Sequence, residues 1–490
     1  MNVRSGSAVN PVVVLVAVAL VPALALFAVW RWADGRSGGG ADPAPNTSAS
    51  VPTEPALALT TPLLSFRRAP GTLARELSLD QFATDVAEFG STLNETSCVA
   101  VSLDGMAVAA TRDDVPLIPA SNEKLLVGAA ALDQLGAGYR FTTEVRAATP
   151  VDGIVAGDLY LVGGGDPLLT SESYPIENDL NPVTNPTSLD ALADAVVTAG
   201  VQRIDGAVVG DGSRYDDEWY VPSWSEDIRG IEAGPFDALL VNDARVTGDP
   251  QRADDPAEAA ARELTQLLTE RGVEVAGAPR SGTAGDDVGV IATVDSTPLR
   301  AVVGEMLSTS DNNTAEMLVK EIGFEAGSGG TREAGLAAIL TTLERRGTPT
   351  EGIVLDDGSG LSNENRVTCG AFVDVLARSG PKQPLGAGLP VAGTSGTLRD
   401  VFTDSPVTGR LRAKTGTLGN APFNADPPAV KALSGYLPVE GGGGTIQFSL
   451  LLNGPGPLTD QSQYRPIWDA LAGTLAGYPA GPSVAQLAPK

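Results

Sequence analysis

The order of helical and strand patterns along the chain is the feature that most constrains its fold. A helical pattern at about 71–89 is followed by two short strand-like runs, and the C-terminal part holds two strands joined by glycines and then an amphipathic helix. Between these ends, short apolar runs such as GDLYLVGGGDPLLT are broken by Gly, Pro and Asp, with two helical stretches among them. This order predicts one α/β domain built from both ends of the chain and interrupted by a β-rich insertion.

The chain has 490 residues, which is more than a single domain usually contains. We predict a catalytic domain over 66–150 and 297–480, an inserted accessory domain over 151–296, and a short tail over 481–490. Residues 33–65 are rich in Gly, Pro, Ser and Thr, which predicts a flexible linker in front of the catalytic domain.

The N-terminal segment, residues 1–32, contains an uncharged apolar run of 20 residues from Pro11 to Trp30. A helix of roughly this length spans a bilayer, so the run favours an uncleaved membrane anchor. A cleavable signal peptide is the alternative, since ALA at 23–25 offers a small-residue cleavage pattern. With either outcome the rest of the chain is expected outside the cytoplasm, in the cell envelope, as a membrane-anchored or secreted protein.

The sequence contains no histidine. Ser-His-Asp and Cys-His catalysis are therefore excluded, because both need an imidazole as base. Histidine-ligated zinc is excluded as well, and two cysteines are too few for a thiolate zinc site. These cysteines, Cys98 and Cys369, are compatible with a disulfide or with two separate buried thiols. A hydrolase of this composition needs another base, and lysine is one of the few candidates.

Three short motifs point to serine and lysine as that pair. They are S-x-x-K at Ser121 and Lys124, S-D-N from Ser310 to Asn312, and K-T-G from Lys414 to Gly416. Each is weak alone, because S-x-x-K also describes a helix cap followed by a surface lysine. A helix places residues i and i+3 on one face, so Lys124 can reach Ser121. Burial and a second cation would lower the pKa of such a lysine, as its use as a base requires.

With these motifs in this order, the sequence resembles the low-molecular-weight class C penicillin-binding proteins, the D-alanyl-D-alanine carboxypeptidase/endopeptidase family. The resemblance covers about residues 70–475 and includes LVGGGDPLL, DDGSGLS, VAGTSGTLRD and AKTGTL. It implies a penicillin-binding serine transpeptidase/β-lactamase-like fold of the α/β (α+β) class, with an antiparallel sheet flanked by helices. It also implies a serine-type D-Ala-D-Ala carboxypeptidase, with endopeptidase action open, that acts on peptidoglycan stem peptides and is inhibited by β-lactams. No cofactor or metal is implied.

The resemblance implies the roles of the reacting groups. Ser121 would form the acyl-enzyme ester and Lys124 would take its proton. Ser310 would relay a proton to the leaving D-alanine, while Asn312 would hold both the substrate amide and Lys124. The backbone N–H groups of Ser121 and Thr417 would form the oxyanion hole.

Four further residues are assigned to the substrate by the same resemblance. Lys414 and Thr415 would bind the terminal carboxylate of the substrate or of penicillin. Gly416 would let the strand approach the substrate closely. Asp166 would bind the amine of the stem peptide's diamino acid, although an aspartate before Pro167 is equally compatible with a simple turn.

One position departs from the family pattern. Many members carry an arginine directly after the DGSGLS stretch, whereas Asn363 stands there in this chain and Arg366 follows three residues on. This departure predicts a stem peptide that is amidated or otherwise lacks a free carboxylate at the diamino acid.

Two other functions are compatible with the same motifs. One is a β-lactamase or esterase on the same fold, and the other is a penicillin-binding wall sensor that acylates without turnover. The formal net charge of −27 argues against a nucleic-acid partner. The oligomeric state and the balance of carboxypeptidase against endopeptidase action are left open.

Overall fold

The computed structural model describes residues 69–174, 183–249, 251–419, 429–454 and 456–488. The predicted anchor and linker lie outside these residues, and within the described residues no helix combines the length and apolar character needed to cross a membrane. The α-helices are α1 Ala69–Ser91, α2 Lys124–Gln134, α3 Leu189–Thr198, α4 Pro256–Glu270, α5 Leu299–Thr309, α6 Asn312–Glu325, α7 Arg332–Arg346, α8 Cys369–Ser379, α9 Pro384–Ala387, α10 Gln461–Ala476 and α11 Val484–Leu487. The strands are β1 Ser97–Leu103, β2 Met106–Thr111, β3 Thr142–Ala147, β4 Ile154–Val155, β5 Leu159–Val162, β6 Leu169–Thr170, β7 Thr187–Ser188, β8 Arg203–Ile204, β9 Val208–Asp211, β10 Glu274–Val275, β11 Arg280–Ser281, β12 Gly289–Asp295, β13 Arg412–Leu418, β14 Ala429–Pro438 and β15 Thr445–Gly454.

Both ends of the chain contribute to one antiparallel sheet, with the strand order β13-β14-β15-β1-β2. The middle strands β14 and β15 are buried along almost their whole length. Their sequences are accordingly near-continuous apolar runs rather than alternating ones, because helices cover both faces. The predicted antiparallel sheet flanked by helices is confirmed.

Each face of this sheet has its own apolar core. On one face, α2 and α8 pack through residues such as Leu125 and Phe372 against Ala432 of β14. On the other face, α1 and α10 pack through Phe82 and Trp468 and their neighbours. The strand β13 forms an edge of the sheet, which leaves one side of its backbone free for the site described below.

A disulfide joins Cys98 to Cys369, with 6.1 Å between the two Cα atoms. It connects β1 to the first residue of α8 across 271 positions of sequence. The bond resolves the alternatives that the sequence left open, and it fits a protein that folds in an oxidising compartment.

The middle of the chain forms a second five-stranded sheet, in the order β11-β9-β5-β3-β12. The strands β5, β9 and β11 run parallel, and α3 and α4 lie in the crossovers between them. Their apolar faces, including Leu192 and Leu264, pack on the sheet. These helices coincide with the two helical stretches that the sequence pattern indicates within the middle part.

Two details of the middle part differ from the sequence pattern. The run GPFDALLVNDARVTGD forms no strand; its apolar residues, such as Phe236 and Leu239, are buried in a loop instead. The division into catalytic and inserted domains stays a prediction. The pairing of β3 with β5 and β12 favours a boundary before Thr142 rather than at 151.

Candidate active site

Ser121 lies in a short 3₁₀ turn, Ala120–Glu123, directly before α2. The sequence pattern places it at the start of the α-helix, but the α-helix itself begins at Lys124. Ala120 has a φ of +47°, a left-handed conformation that non-glycine residues adopt at a cost. The backbone in front of Ser121 is thus held in a specific, unfavourable conformation by its surroundings.

Two glycines let neighbouring segments close on this backbone. A Cβ atom at Gly416 would lie 2.9 Å from the Pro119 carbonyl oxygen and 3.2 Å from the Ala120 Cβ atom. A Cβ atom at Gly360, whose φ is +82°, would lie 2.0 Å from the Ala120 carbonyl oxygen. Gly416 therefore lies close to the turn that bears Ser121. The K-T-G strand and the DDGSGLS loop pack against this turn from two sides.

The side chain of Lys124 is fully buried and has three hydrogen-bond acceptors around its Nζ atom. They are Ser121 Oγ at 3.1 Å, Asn312 Oδ1 at 2.7 Å and the Ser359 carbonyl oxygen at 2.5 Å. Burial lowers the pKa of Lys124 to about 8, against the opposing effect of nearby carboxyl groups led by Asp357. In the neutral amine, two N–H bonds remain for Asn312 and Ser359, so the lone pair is left facing the Ser121 hydroxyl.

Ser310 stands at the break between two helices. It ends α5 with a φ of +67°, and Asp311 caps α6 by accepting the Thr314 N–H. This geometry turns the Ser310 hydroxyl towards the K-T-G strand, where Lys414 Nζ donates to Ser310 Oγ at 2.8 Å. Burial, followed by the charge of Lys124, holds the pKa of Lys414 well below its ordinary value.

These side chains meet at a cavity of about 790 Å³. Ser121, Ser310, Asn312, Thr415 and Thr417 line it, while the amines of Lys124 and Lys414 lie beneath its surface. The Ala413 N–H donates to the Pro390 carbonyl, on the side of β13 that faces away from β14. Along a strand, the N–H groups of alternate residues point to the same side. The N–H groups of Thr415 and Thr417 therefore face outward from the sheet edge as well, towards the cavity.

The middle part of the chain forms the opposite wall of this cavity. Leu168, Ile228 and Asp243 line it there. The Glu232 carbonyl also accepts a hydrogen bond of 2.8 Å from Asn312 Nδ2. One N–H of the Asn312 amide is thus held by the wall, and the other is left for a ligand.

Asp166 is placed apart from this cluster. It is 1% exposed, and its Oδ1 atom accepts the Leu168 N–H at 2.9 Å, which is the turn geometry expected before a proline. Burial raises the pKa of this carboxyl to about 6. Among the described residues that line the cavity, Pro167 and Leu168 appear but Asp166 does not.

Asn363 and Arg366 also lie away from the described lining of the cavity. The Arg366 guanidinium donates to the backbone carbonyls of Asn363 and Asn365, so it is engaged with its own loop. In this position Arg366 does not replace the arginine that many family members carry where this chain has Asn363.

Sequence reasoning missed the groups that orient Lys124. The Glu316 carboxyl accepts the N–H groups of Gly358 and Ser359, and the Ser359 carbonyl in turn accepts the Lys124 amine. A signal was available, because Glu316 follows Asn312 by four positions and therefore shares its helix face. Burial, and then the charge of Asp357, raises the pKa of Glu316 to about 8.

We predict that Glu316→Ala destabilises the protein and slows acylation together. Two buried N–H groups would lose their acceptor, at a cost of about 2 to 4 kcal/mol in the free energy of unfolding. Glu316→Gln keeps one amide oxygen and should lose less than half as much. Urea unfolding and the acylation rate measure the two effects. Equal stability of all three proteins would contradict the role of this carboxyl.

The comparisons with known proteins agree with this geometry. The family model of the D-Ala-D-Ala carboxypeptidase 3 (S13) family matches residues 78–252 and 242–478. The chain belongs to this family. It is therefore a D-Ala-D-Ala carboxypeptidase of the penicillin-binding class, a serine peptidase, and the extracytoplasmic location expected from the sequence follows from that class.

Individual relatives of this S13 carboxypeptidase support the assignment. A D-alanyl-D-alanine carboxypeptidase of Actinomadura sp. (strain R39) is 33% identical over 448 residues, covering 74% of this chain and 77% of the relative. Carboxypeptidase DacB of Mycolicibacterium smegmatis is 33% identical over 374 residues, covering 74% and 75%. The crystal structure of penicillin binding protein 4 (dacB) from Haemophilus influenzae matches with a TM-score of 0.66 at 20% identity, over 80% of this chain and 99% of that one. The last comparison confirms the fold.

Proposed function

We propose that this S13 carboxypeptidase removes the terminal D-alanine of peptidoglycan stem peptides through an acyl-enzyme at Ser121. The observation that carries the proposal is the set of contacts around Lys124, which leaves the lone pair of the neutral amine facing Ser121 Oγ at 3.1 Å. A serine hydroxyl needs such a base to become a nucleophile at neutral pH.

In the first step, Ser121 Oγ attacks the carbonyl carbon of the penultimate D-alanine while its proton passes to Lys124. The negative charge on the carbonyl oxygen is stabilised by the N–H groups of Ser121 and Thr417, of which the latter faces the cavity. The C–N bond then breaks, and the leaving amine takes its proton from Ser310, which Lys414 contacts; the proton that Lys124 received from Ser121 restores the Ser310 hydroxyl. Water completes the cycle by hydrolysing the ester, which returns Ser121 and releases the shortened peptide.

Substrate orientation follows from the same cavity. Asn312 presents a free amide N–H to a carbonyl of the peptide backbone. Lys414 presents its amine, whose charged form a bound carboxylate would favour, and Thr415 and Thr417 present hydroxyl oxygens beside it to the terminal carboxylate. A penicillin carries an amide carbonyl and a carboxylate on either side of its reactive carbonyl, so it should enter the same site and acylate the same serine.

The test is the release of free D-alanine from a diacetyl-L-Lys-D-Ala-D-Ala peptide, followed over many turnovers. We expect catalytic release that stops when benzylpenicillin is added. Hydrolysis of penicillin without D-alanine release would favour a β-lactamase, and acylation without any turnover would favour a sensor. A parallel assay with a cross-linked dimer of two stem peptides measures how much endopeptidase activity accompanies the carboxypeptidase activity.

A further inference from the structure

A third lysine lies beside the K-T-G strand, on the face of the sheet opposite to Lys124 and Lys414. Lys431 on β14 is directly opposite Thr417 on β13, and its Nζ atom donates to Thr417 Oγ1 at 2.9 Å. The side chain is only 7% exposed, and its ammonium lies 4.3 Å above the ring centroid of Tyr464.

The charge of Lys431 has no acidic partner in the part of the chain that the structure describes. No described carboxylate lies within 4.0 Å of it, and the same holds for its neighbour Arg465. The chain carries 60 acidic residues against 33 basic ones, so two neighbouring cations without a carboxylate partner among the described residues are unexpected. Buried charges are normally paired, and both of these cations line the active-site cavity.

The hydrogen bond to Lys431 determines what Thr417 offers to a ligand. An ammonium only donates, so it occupies a lone pair of the Thr417 oxygen and leaves the hydroxyl hydrogen to be donated elsewhere. Thr415 lies two residues away on the same side of the strand, and its hydroxyl is hydrogen-bonded to Thr397 at 2.8 Å. Thr417 can therefore present its hydroxyl as a donor directly beside the Lys431 ammonium.

The charges around the cavity are also separated. The described lining holds four acidic residues, of which Glu232 and Asp243 come from the middle of the chain and Glu305 and Asp311 from α5 and the S-D-N motif, whereas Lys431 and Arg465 lie beside Thr417. An anionic group of a ligand is stabilised beside Lys431 and Arg465 and is repelled by the acidic wall.

We propose that Lys431, supported by Arg465, is a positioning residue that holds Thr417 as a hydrogen-bond donor for the C-terminal carboxylate of the acyl-D-alanyl-D-alanine substrate. The inference rests on the proposed function and adds to it a residue outside the three motifs. Burial, and then Arg465, lowers the pKa of Lys431 to about 8, so most of the ammonium is charged at neutral pH in the free protein. A bound substrate carboxylate would supply the negative charge that the described residues do not place beside Lys431.

The test compares the free-acid peptide with the same peptide ending in a carboxamide. For Lys431→Met we expect kcat/KM on the free acid to fall by about 10-fold to 100-fold, as loss of a charged hydrogen bond does, with less than a twofold change on the carboxamide. Thr417→Val should lose activity on the free acid as well, and on that peptide the double variant should lose no more than Thr417→Val alone. Lys431→Arg should recover most of the loss, and Lys382→Met, at an exposed lysine, serves as the matched control.

Several results would overturn the inference. An equal loss on both peptides, or additive losses in the double variant, would make Lys431 a purely structural residue; the melting temperature is recorded alongside. Peptides with an amidated and with a free carboxylate on the diamino acid are also compared. If the loss of kcat/KM in Lys431→Met occurs only with the free carboxylate, Lys431 and Arg465 interact with that group instead. Benzylpenicillin acylation of the unaltered protein is measured in parallel, so a failure of the proposed function is recognised separately from a failure at Lys431.

Discussion

Replacing Ser121 by alanine is expected to abolish D-alanine release while the fold is retained. Loss of a serine nucleophile costs on the order of 10⁶-fold in kcat in a serine protease, and among the described residues no second hydroxyl is hydrogen-bonded to Lys124. Ser310, the other serine at the cavity, is hydrogen-bonded to Lys414 instead. Ser121 is partly exposed at the cavity, so the substitution removes one oxygen without leaving a buried void.

The measurement is kcat for the diacetyl tripeptide, with the melting temperature of each protein as the control for folding. Ser310→Ala is the matched variant, because it removes the same atom from the same cavity. We expect Ser310→Ala to keep the ability to become acylated at a reduced rate. Activity of Ser121→Ala within tenfold of the unaltered protein would assign the nucleophile elsewhere.

Replacing Lys124 by alanine is expected to slow acylation by about 10²-fold to 10⁴-fold, the range that a general base contributes. The pKa of Lys124 is lowered to about 8, and only the neutral amine accepts the Ser121 proton. Acylation should therefore become faster as the pH rises towards 8 and level off above it, since the neutral fraction grows about tenfold per unit below the pKa. In Lys124→Ala this rise should disappear.

The absence of histidine makes this profile unusually informative, because no side chain in the chain has an ordinary pKa near neutrality. Lys431 and Glu316 also have pKa values of about 8. The inflection is therefore assigned by its loss in Lys124→Ala rather than by its position alone. A Lys124→Arg protein with full activity and an unchanged profile would contradict the assignment.

The parts of the site that the sequence predicted are those carried by local patterns. Ser121 and Lys124 are three residues apart, Ser310 lies between two helical stretches, and Lys414 lies on a strand, so each motif specifies its own local structure. Their meeting depends on the fold, which the order of elements at the two chain ends predicted. The 3₁₀ turn before α2 was not predicted, because it is imposed by the strand and loop that pack against Ala120.

The remaining features depend on contacts between distant residues. Ser359 reaches Lys124 through a backbone carbonyl, which leaves no trace in a side-chain motif. Lys431 reads as part of an ordinary buried strand, and its significance appears only when the register places it opposite Thr417. The parallel pairing of β5 and β9 was equally hidden, because short apolar runs have no direction in the sequence.

The most direct test of the account is the intact mass of the protein after exposure to benzylpenicillin, with Ser121→Ala treated alongside. We predict one adduct with the mass of the intact penicillin on the unaltered protein, located at Ser121 by peptide mapping, and none on the variant. The same adduct on both proteins, or no adduct with the penicillin recovered unchanged, would contradict Ser121 as the acylated residue.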